Sequence, residues 1–259
     1  MKNLRTQLFI NNQWVDSVAG ERFETVDPSN ETVIGTVSRA RAEDIDLAAR
    51  AASRAMQGPW PKLAPAERGK VLFKLADLID ANRHDLAKLE TIDVGKPLSG
   101  SLGDIVGVSD TVRYNASAAD KLEGTTIPIG PDHFDFSVME PIGVTGHIMP
   151  WNYPLGMAAR SVAPALAAGC SVILKPAEQS PLSTLAFAEL CEEAGFPSGV
   201  VNVVPGFGDE AGTALTSHPL VRGITFTGSV ATGRAVYQSA AVGLKKVVLE
   251  LGGKNPLIV

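Results

Sequence analysis

Five short stretches combine residue types that can do chemistry. In Met149-Pro150-Trp151-Asn152-Tyr153-Pro154 two prolines fix the backbone on either side of an amide. Such an amide is suited to donate to a developing oxyanion, and equally to cap a helix that starts there. Lys175-Pro176-Ala177-Glu178 sets a carboxylate three residues after a lysine. That carboxylate can accept hydrogen bonds from both hydroxyls of a ribose and repels a 2'-phosphate, or it is half of a surface ion pair worth little. Gly206-Phe207-Gly208-Asp209-Glu210-Ala211-Gly212 is one residue longer than the usual dinucleotide fingerprint, and also reads as a turn with a close helix contact. Gly228-Ser229, with Gly233 five residues after Gly228, sets a hydroxyl and a flexible turn where a helix would start, a place that welcomes phosphate. Arg234 stands where a P-loop has its lysine, which argues against a P-loop. Finally Glu250, in Leu249-Glu250-Leu251-Gly252-Gly253-Lys254, emerges from an apolar run. Partly desolvated, it suits a general base; paired with Lys254 across the turn, it is structural.

These stretches follow β-branched runs that alternate with helical patterns. The spacing predicts strands near 144–149, 171–174, 200–204, 223–226 and 246–249, with helices starting near Leu155, Leu182, Asp209 and Thr232. A strand followed each time by a helix builds a parallel sheet covered on both faces, a doubly wound α/β unit. Its ligand crevice lies beyond the carboxyl ends of the strands, where all five stretches fall. Upstream, alternation at 7–10 and 13–15 around Asn11-Asn12 predicts a hairpin. Apolar spacing predicts helices over 42–56 and 65–81, with Pro65 in a first turn, and a weaker one over 101–121. Two extended segments flank Pro131-Asp132 within 124–138 and read as a hairpin standing apart from the helices.

Composition narrows the function classes. The 259 residues are 45% hydrophobic and 20% charged, enough for a sizeable core and against disorder. With 23 Lys and Arg against 28 Asp and Glu the net charge is -5, and no block of like charge offers a nucleic-acid or anionic-membrane surface. Lys2 and Arg5 precede no apolar leader, and the longest apolar stretch, near 161–170, is too short for a bilayer, so a cytoplasmic protein is expected. Cys170 and Cys191 fit neither a disulfide framework nor a paired metal motif, and read as reduced structural thiols. The acids after Cys191, Glu192 and Glu193, are expected to raise its pKa. His84, His133, His147 and His218 are scattered without ligand spacing, so no metal is expected, and His147 reads as a packed strand residue.

Together the strand-end motifs resemble the NAD(P)-dependent aldehyde dehydrogenase family. Pro-Trp-Asn-Tyr-Pro, Lys-Pro-Ala-Glu, Phe-Thr-Gly-Ser with its later Gly, and Glu-Leu-Gly-Gly-Lys occur in the family's order and spacing. Gln13-Trp14-Val15, Asp27-Pro28, Trp60 and Asp93-Val94-Gly95-Lys96-Pro97 extend the likeness over essentially the whole chain. A short-chain dehydrogenase is disfavoured, because Tyr114, Tyr153 and Tyr237 are followed four positions on by Ala118, Met157 and Ala241, not lysine.

The resemblance implies a helical amino-terminal part over 1–122 that begins with the hairpin, a β-hairpin oligomerisation arm over 123–140 and a Rossmann-like NAD-binding domain over 141–259. It implies oxidation of an aldehyde to a carboxylic acid with NAD, and Glu178 makes NADP less favoured. Asn152 would donate to the oxyanion, with Met149, Pro150 and Trp151 near the nicotinamide ribose. Lys175 and Glu178 would hold the adenosine ribose, and Gly208, Asp209 and Gly212 would border the adenine. Gly228, Ser229 and Gly233 would meet the pyrophosphate, Leu251 and Gly252 would pass the nicotinamide, and Glu250 would be the general base. The family's cysteine nucleophile is expected in a catalytic domain beyond Val259, which leaves the 259-residue chain alone inactive. A full-length homodimer or homotetramer is implied. The alternative is a short, non-catalytic dinucleotide-binding or subunit-interaction protein.

Overall fold

The computed structural model describes residues 4–258. The charged start read at Lys2 lies outside the described residues. Strands β1 (Leu8–Ile10) and β2 (Gln13–Val15) form the expected antiparallel hairpin. Its turn residues Asn11 and Asn12 have φ of 57° and 56°, the left-handed pair of a tight hairpin turn that asparagine tolerates. A second hairpin follows, β3 (Arg22–Asp27) with β4 (Thr32–Ser38), where no strand was expected. Its residues are largely exposed or half-buried, so no clean alternation marks it.

Helices α1 (Ala42–Ala55), α2 (Pro65–Ala81), α3 (Arg83–Val94) and α4 (Leu98–Ala118) come next. Trp60, in a single 3₁₀ turn between α1 and α2, is fully buried and donates its indole N–H to the Cys170 carbonyl at 3.0 Å. Helix α3 was not expected, because two of its inward positions are the acids Glu90 and Asp93, and they interrupt the apolar stripe. It ends at Gly95, whose φ of 82° is the left-handed helix stop that glycine adopts without strain. The segment around Pro131-Asp132 does form a short antiparallel ribbon, β5 (Thr126–Ile127) with β6 (Asp135–Phe136).

The carboxyl-terminal half alternates as the spacing predicts: β7 (Val144–Ile148), α5 (Pro154–Ala167), β8 (Ser171–Lys175), α6 (Leu182–Ala194), β9 (Val201–Val203), α7 (Thr213–Ser217), β10 (Val221–Gly228), α8 (Val230–Ala241) and β11 (Lys246–Leu251). The helix expected from Asp209 opens as one π-type turn, Gly208–Gly212, before α7. One sheet of seven strands results, in the order β11-β10-β7-β8-β9-β1-β2. The five strands from β7 to β11 are parallel, and β1 joins β9 antiparallel. The order reverses between β7 and β10, and their carboxyl ends flank the crevice of a doubly wound sheet.

Each face of the sheet has its own core. Val172, Leu174 and Phe9 meet Trp60 and helices α2 to α6 on one side. Ile173, Val144 and Leu8 meet α1, α7 and α8 on the other. Strand alternation sends neighbouring residues to opposite cores.

The inward acids of α3 tie the layers together. Asp93 accepts from the Thr25 hydroxyl of β3 at 3.0 Å and from the Leu182 N–H, the first residue of α6, at 2.8 Å. It answers an otherwise unpaired amide at a helix amino terminus, where negative charge is favoured. Burial nevertheless dominates and raises the Asp93 pKa to about 7, the amide and hydroxyl bonds only partly opposing it. The folded chain therefore holds this proton more tightly than the unfolded chain, and the resulting stability, full below about pH 4, is lost as pH rises through about 7. Guanidinium unfolding should find the wild type losing on the order of 2 kcal/mol relative to Asp93→Asn between pH 5 and pH 8. A difference that stays constant with pH would refute this account of Asp93.

Candidate active site

The turn after β7 is held from below. The Met149 N–H donates to the Lys175 carbonyl at 3.0 Å, and the Ser180 hydroxyl donates to the Trp151 carbonyl at 2.8 Å. Met149 is buried, while Trp151 and Asn152 are exposed. Helix α5 starts at Pro154 with Tyr153 as its cap residue and no side-chain cap bond. The capping role open for Asn152 is thus not the one adopted.

After β8, Lys175 is buried where a surface ion pair was one of the two readings. Its ammonium donates to the carbonyls of Pro176 at 2.8 Å and Gly206 at 2.7 Å, and lies 3.6 Å from a Glu178 oxygen. Burial lowers its pKa, and Glu178 opposes that shift. Lys175 therefore clasps the turn after β8 to the turn after β9. Glu178 stays partly exposed and accepts from the Gln179 amide at 3.2 Å.

In the turn after β9, Gly212 is buried beside the Lys175 side chain, while Asp209 faces solvent. After β10, Ser229 caps α8, accepting from the Thr232 N–H at 3.1 Å. Gly233 is buried in α8 behind Leu251 of β11.

Glu250 departs from expectation. Its side chain is 52% exposed, so the desolvation anticipated from its apolar neighbours is missing. The physical reason is position: β11 is the sheet's edge strand, and Glu250 comes near its open end. Nor does it pair with Lys254, which bonds the Gly253 carbonyl; its neighbour is Arg160 of α5 at 3.7 Å.

Two cavities collect these groups. One of about 470 Å³ lies at the crevice between β7 and β10 and is lined by Pro150, Asn152, Gly228, Glu250, Leu251 and Gly252, together with Tyr153, Met157, Arg160 and Thr227. The other, of about 440 Å³, takes Trp151 and Glu178 with Thr25, Asp93 and Phe207 among its walls. Met149, Lys175, Gly212 and Gly233 sit in the packed layer behind, and Gly208, Asp209 and Ser229 border neither cavity. Tyr153, Met157 and Arg160 were missed by the sequence reading, although positions 153, 157 and 160 mark one face of a helix.

Neither thiol suits nucleophilic attack. Burial pushes the Cys191 thiol up, so the cause is its place in the core and not the two acids beside it. Cys170 is raised by burial as well, with the Gly143 and Ile142 amides and Arg68 opposing. His147 packs inside β7, 2.8 Å from the Thr145 hydroxyl, and burial holds its pKa down to about 3, so it is neutral. Among the described residues no group of three or more His, Cys, Asp or Glu is gathered for a metal, and no helix is long and apolar enough to cross a membrane.

Comparison with known proteins bears on this arrangement. A model of the aldehyde dehydrogenase family matches residues 14–259. The chain belongs to the aldehyde dehydrogenase family. It is 51% identical to Aldehyde dehydrogenase 1 of Tanacetum cinerariifolium over 257 residues, which are 98% of this chain and 52% of that protein. Human Aldehyde dehydrogenase 1A1 is 47% identical over 258 residues, again 98% of this chain and 52% of the relative. Among solved aldehyde dehydrogenases, the NAD+ complex from Bacillus cereus superposes with a TM-score of 0.96 at 47% identity, covering 97% of this chain and 52% of that one. Betaine aldehyde dehydrogenase of Staphylococcus aureus, in complex with NAD+, gives 0.96 at 41% identity over 98% of this chain and 52% of that one. The chain thus spans about half the length of the relatives it matches.

A thiol reagent tests the assignment of both cysteines as structural. At pH 8 the folded chain should leave Cys170 and Cys191 unmodified over minutes, while the chain in guanidinium should release two equivalents of reporter at once. Rapid reaction of either thiol in the native state would overturn it.

Proposed function

We propose that this chain is the cofactor-binding part of an NAD-dependent aldehyde dehydrogenase that oxidises an aldehyde to a carboxylic acid. The observation that carries the reading is the cavity at the strand-order reversal, where Asn152 and Glu250 line the same space. Residues 141–259 are read as the NAD-binding domain, 1–122 as the amino-terminal part packed on it, and 123–140 as an oligomerisation arm. The nucleophilic cysteine belongs to a part of the protein outside residues 1–259, since both thiols here are buried.

The residues present fit a dinucleotide. The crevice lies at the ends of β7 and β10, helix α8 opens beside it at Gly228-Ser229, and Glu178 keeps a partly exposed carboxylate for ribose hydroxyls. Glu178 would hold the adenosine ribose with Lys175 fixing its turn, Gly228 and Ser229 would face the pyrophosphate, and Leu251 and Gly252 the nicotinamide. Bound NAD supplies a hydride acceptor. Asn152 donates to the aldehyde oxygen as negative charge develops on it, an interaction stronger in the transition state than in the substrate. Glu250 takes the proton of the water that releases the acid. Two solved relatives in NAD+ complex support the cofactor.

The ribbon of β5 and β6 supports assembly. Ile127, Ile129, Phe134, Phe136 and Val138 are all exposed on it, more apolar surface than a lone two-stranded ribbon holds comfortably in water. We read it as pairing with a second copy in a homodimer or homotetramer, in the cytoplasm.

Purified full-length protein mixed with aldehydes and NAD should generate NADH, followed by its absorbance. In that protein Asn152→Ala should lower kcat about 10²- to 10³-fold, and Glu250→Gln should slow turnover while sparing NAD affinity. Full activity in Asn152→Ala would remove the proposed oxyanion donor.

Coenzyme choice is tested separately. Like-charge repulsion between Glu178 and a 2'-phosphate should leave kcat/KM at least tenfold higher with NAD than with NADP, about 1.4 kcal/mol. Glu178→Gln should narrow that gap. Equal efficiency with both coenzymes in the wild type would sink the assignment of Glu178.

A further inference from the structure

The motif Asp93-Val94-Gly95-Lys96-Pro97 is absorbed only in part by the site described above. Asp93 holds α6, but Lys96, in the connection between α3 and α4, touches neither cavity. Its ammonium is largely buried and lies 3.3 Å from Glu90 of α3, 2.9 Å from Asp104 of α4 and 5.0 Å above the centre of the Tyr153 ring. Tyr153 is the residue next to Asn152. We infer that Lys96, anchored by Glu90 and Asp104, is a positioning residue that fixes the Tyr153 ring and through it the direction of the Asn152 amide.

Three observations converge on this. Glu90 is fully buried, and a carboxylate there needs a cation; burial raises its pKa, and Lys96 at 3.3 Å opposes that shift. The carboxylate thereby anchors Lys96. Second, the Tyr153 ring folds back over α5 into space that only a glycine leaves. A Cβ on Gly156 would lie 2.1 Å from a ring carbon. A cation over the open face then completes the clamp, an attraction that grows when the pair is shielded from water. Third, α5 is capped at Tyr153, which makes no side-chain cap bond, so Asn152 stands outside the helix and joins it through Tyr153. On the other side the Ser180 hydroxyl holds Trp151. The amide is thus gripped through both adjacent residues, one by a hydrogen bond and one by a ring.

The inference rests on the reading of Asn152 as oxyanion donor, and its test separates the two. In the full-length enzyme Lys96→Met should lower kcat at least tenfold with KM for NAD unchanged within twofold, and Lys96→Arg, which keeps the cation, should restore most of the loss. Hydrogen exchange, read on the same proteins without substrate, should be faster in Lys96→Met at residues 153–157 and unchanged at 182–185, the start of α6 that Asp93 holds. Where Lys96→Met does not fold, the double variant Glu90→Gln/Lys96→Met, which strands no buried carboxylate, is read by the same criteria. If the wild-type protein oxidises no aldehyde, the proposed function fails, and the exchange pattern still decides the positioning claim. Unchanged exchange at 153–157, uniform loosening of α3, α5 and α6, or a kcat within twofold of wild type would overturn it.

Discussion

The start of a helix presents backbone N–H groups that its own turns cannot satisfy, and a doubly wound sheet must bury several such starts beside its ligand crevice. Here one neighbouring helix, α3, satisfies one of them directly and anchors a lysine beside another. Asp93 receives the first amide of α6, and Glu90, three residues earlier and so on the same face, holds Lys96, whose ammonium lies 5.0 Å from the ring centre of Tyr153, the cap residue of α5. These are the helices that follow β7 and β8, whose turns carry Asn152 and Glu178. Two acids on one helix therefore reach the two helix starts behind these turns, one directly and one through a lysine. Burying carboxylates is costly, and an apolar rod would pack more favourably, but it would leave the Leu182 amide unanswered.

That trade explains which parts of the molecule were legible in the sequence. The alternation of β7 to β11 with their helices was visible because each element buries one side against a core, and the periods of two and 3.6 are intact. The motif residues at the strand ends fell where the spacing indicated, with Asn152 and Glu250 lining one space. Helix α3 was hidden because Glu90 and Asp93 occupy positions where an apolar residue would have completed the stripe. The hairpin of β3 and β4 was hidden for the opposite reason, being too exposed to show a pattern. The open setting of Glu250 could not be read either, because a strand's neighbours in a sheet are a property of topology and not of local composition.

Charge is handled differently at the two ends of the crevice. Lys175 and Lys96 sit in packed surroundings, each satisfied by oxygens of its own chain, and Lys175 joins two turns. Glu250 and Arg160, by contrast, stand in solvent at the edge, with a separation at which exposed pairs add little stability. Buried charge thus ties turns together behind the site, and exposed charge lines its open edge.

The edge opposite β11 bears on how the chain is made. Strand β1 pairs with β9, and the Asn11 N–H donates to the Asn202 side chain across a separation of 191 residues. During synthesis at 5–20 residues per second, the β1–β2 hairpin waits roughly 10–40 s before its partner exists. Through that interval Phe9 and Trp14, whose rings lie 4.9 Å apart in the finished sheet, have no β9 beside them to pair with. A segment translated well before β9 thus waits for its partner strand, and the growing sheet keeps an open edge at β9 until the two pair.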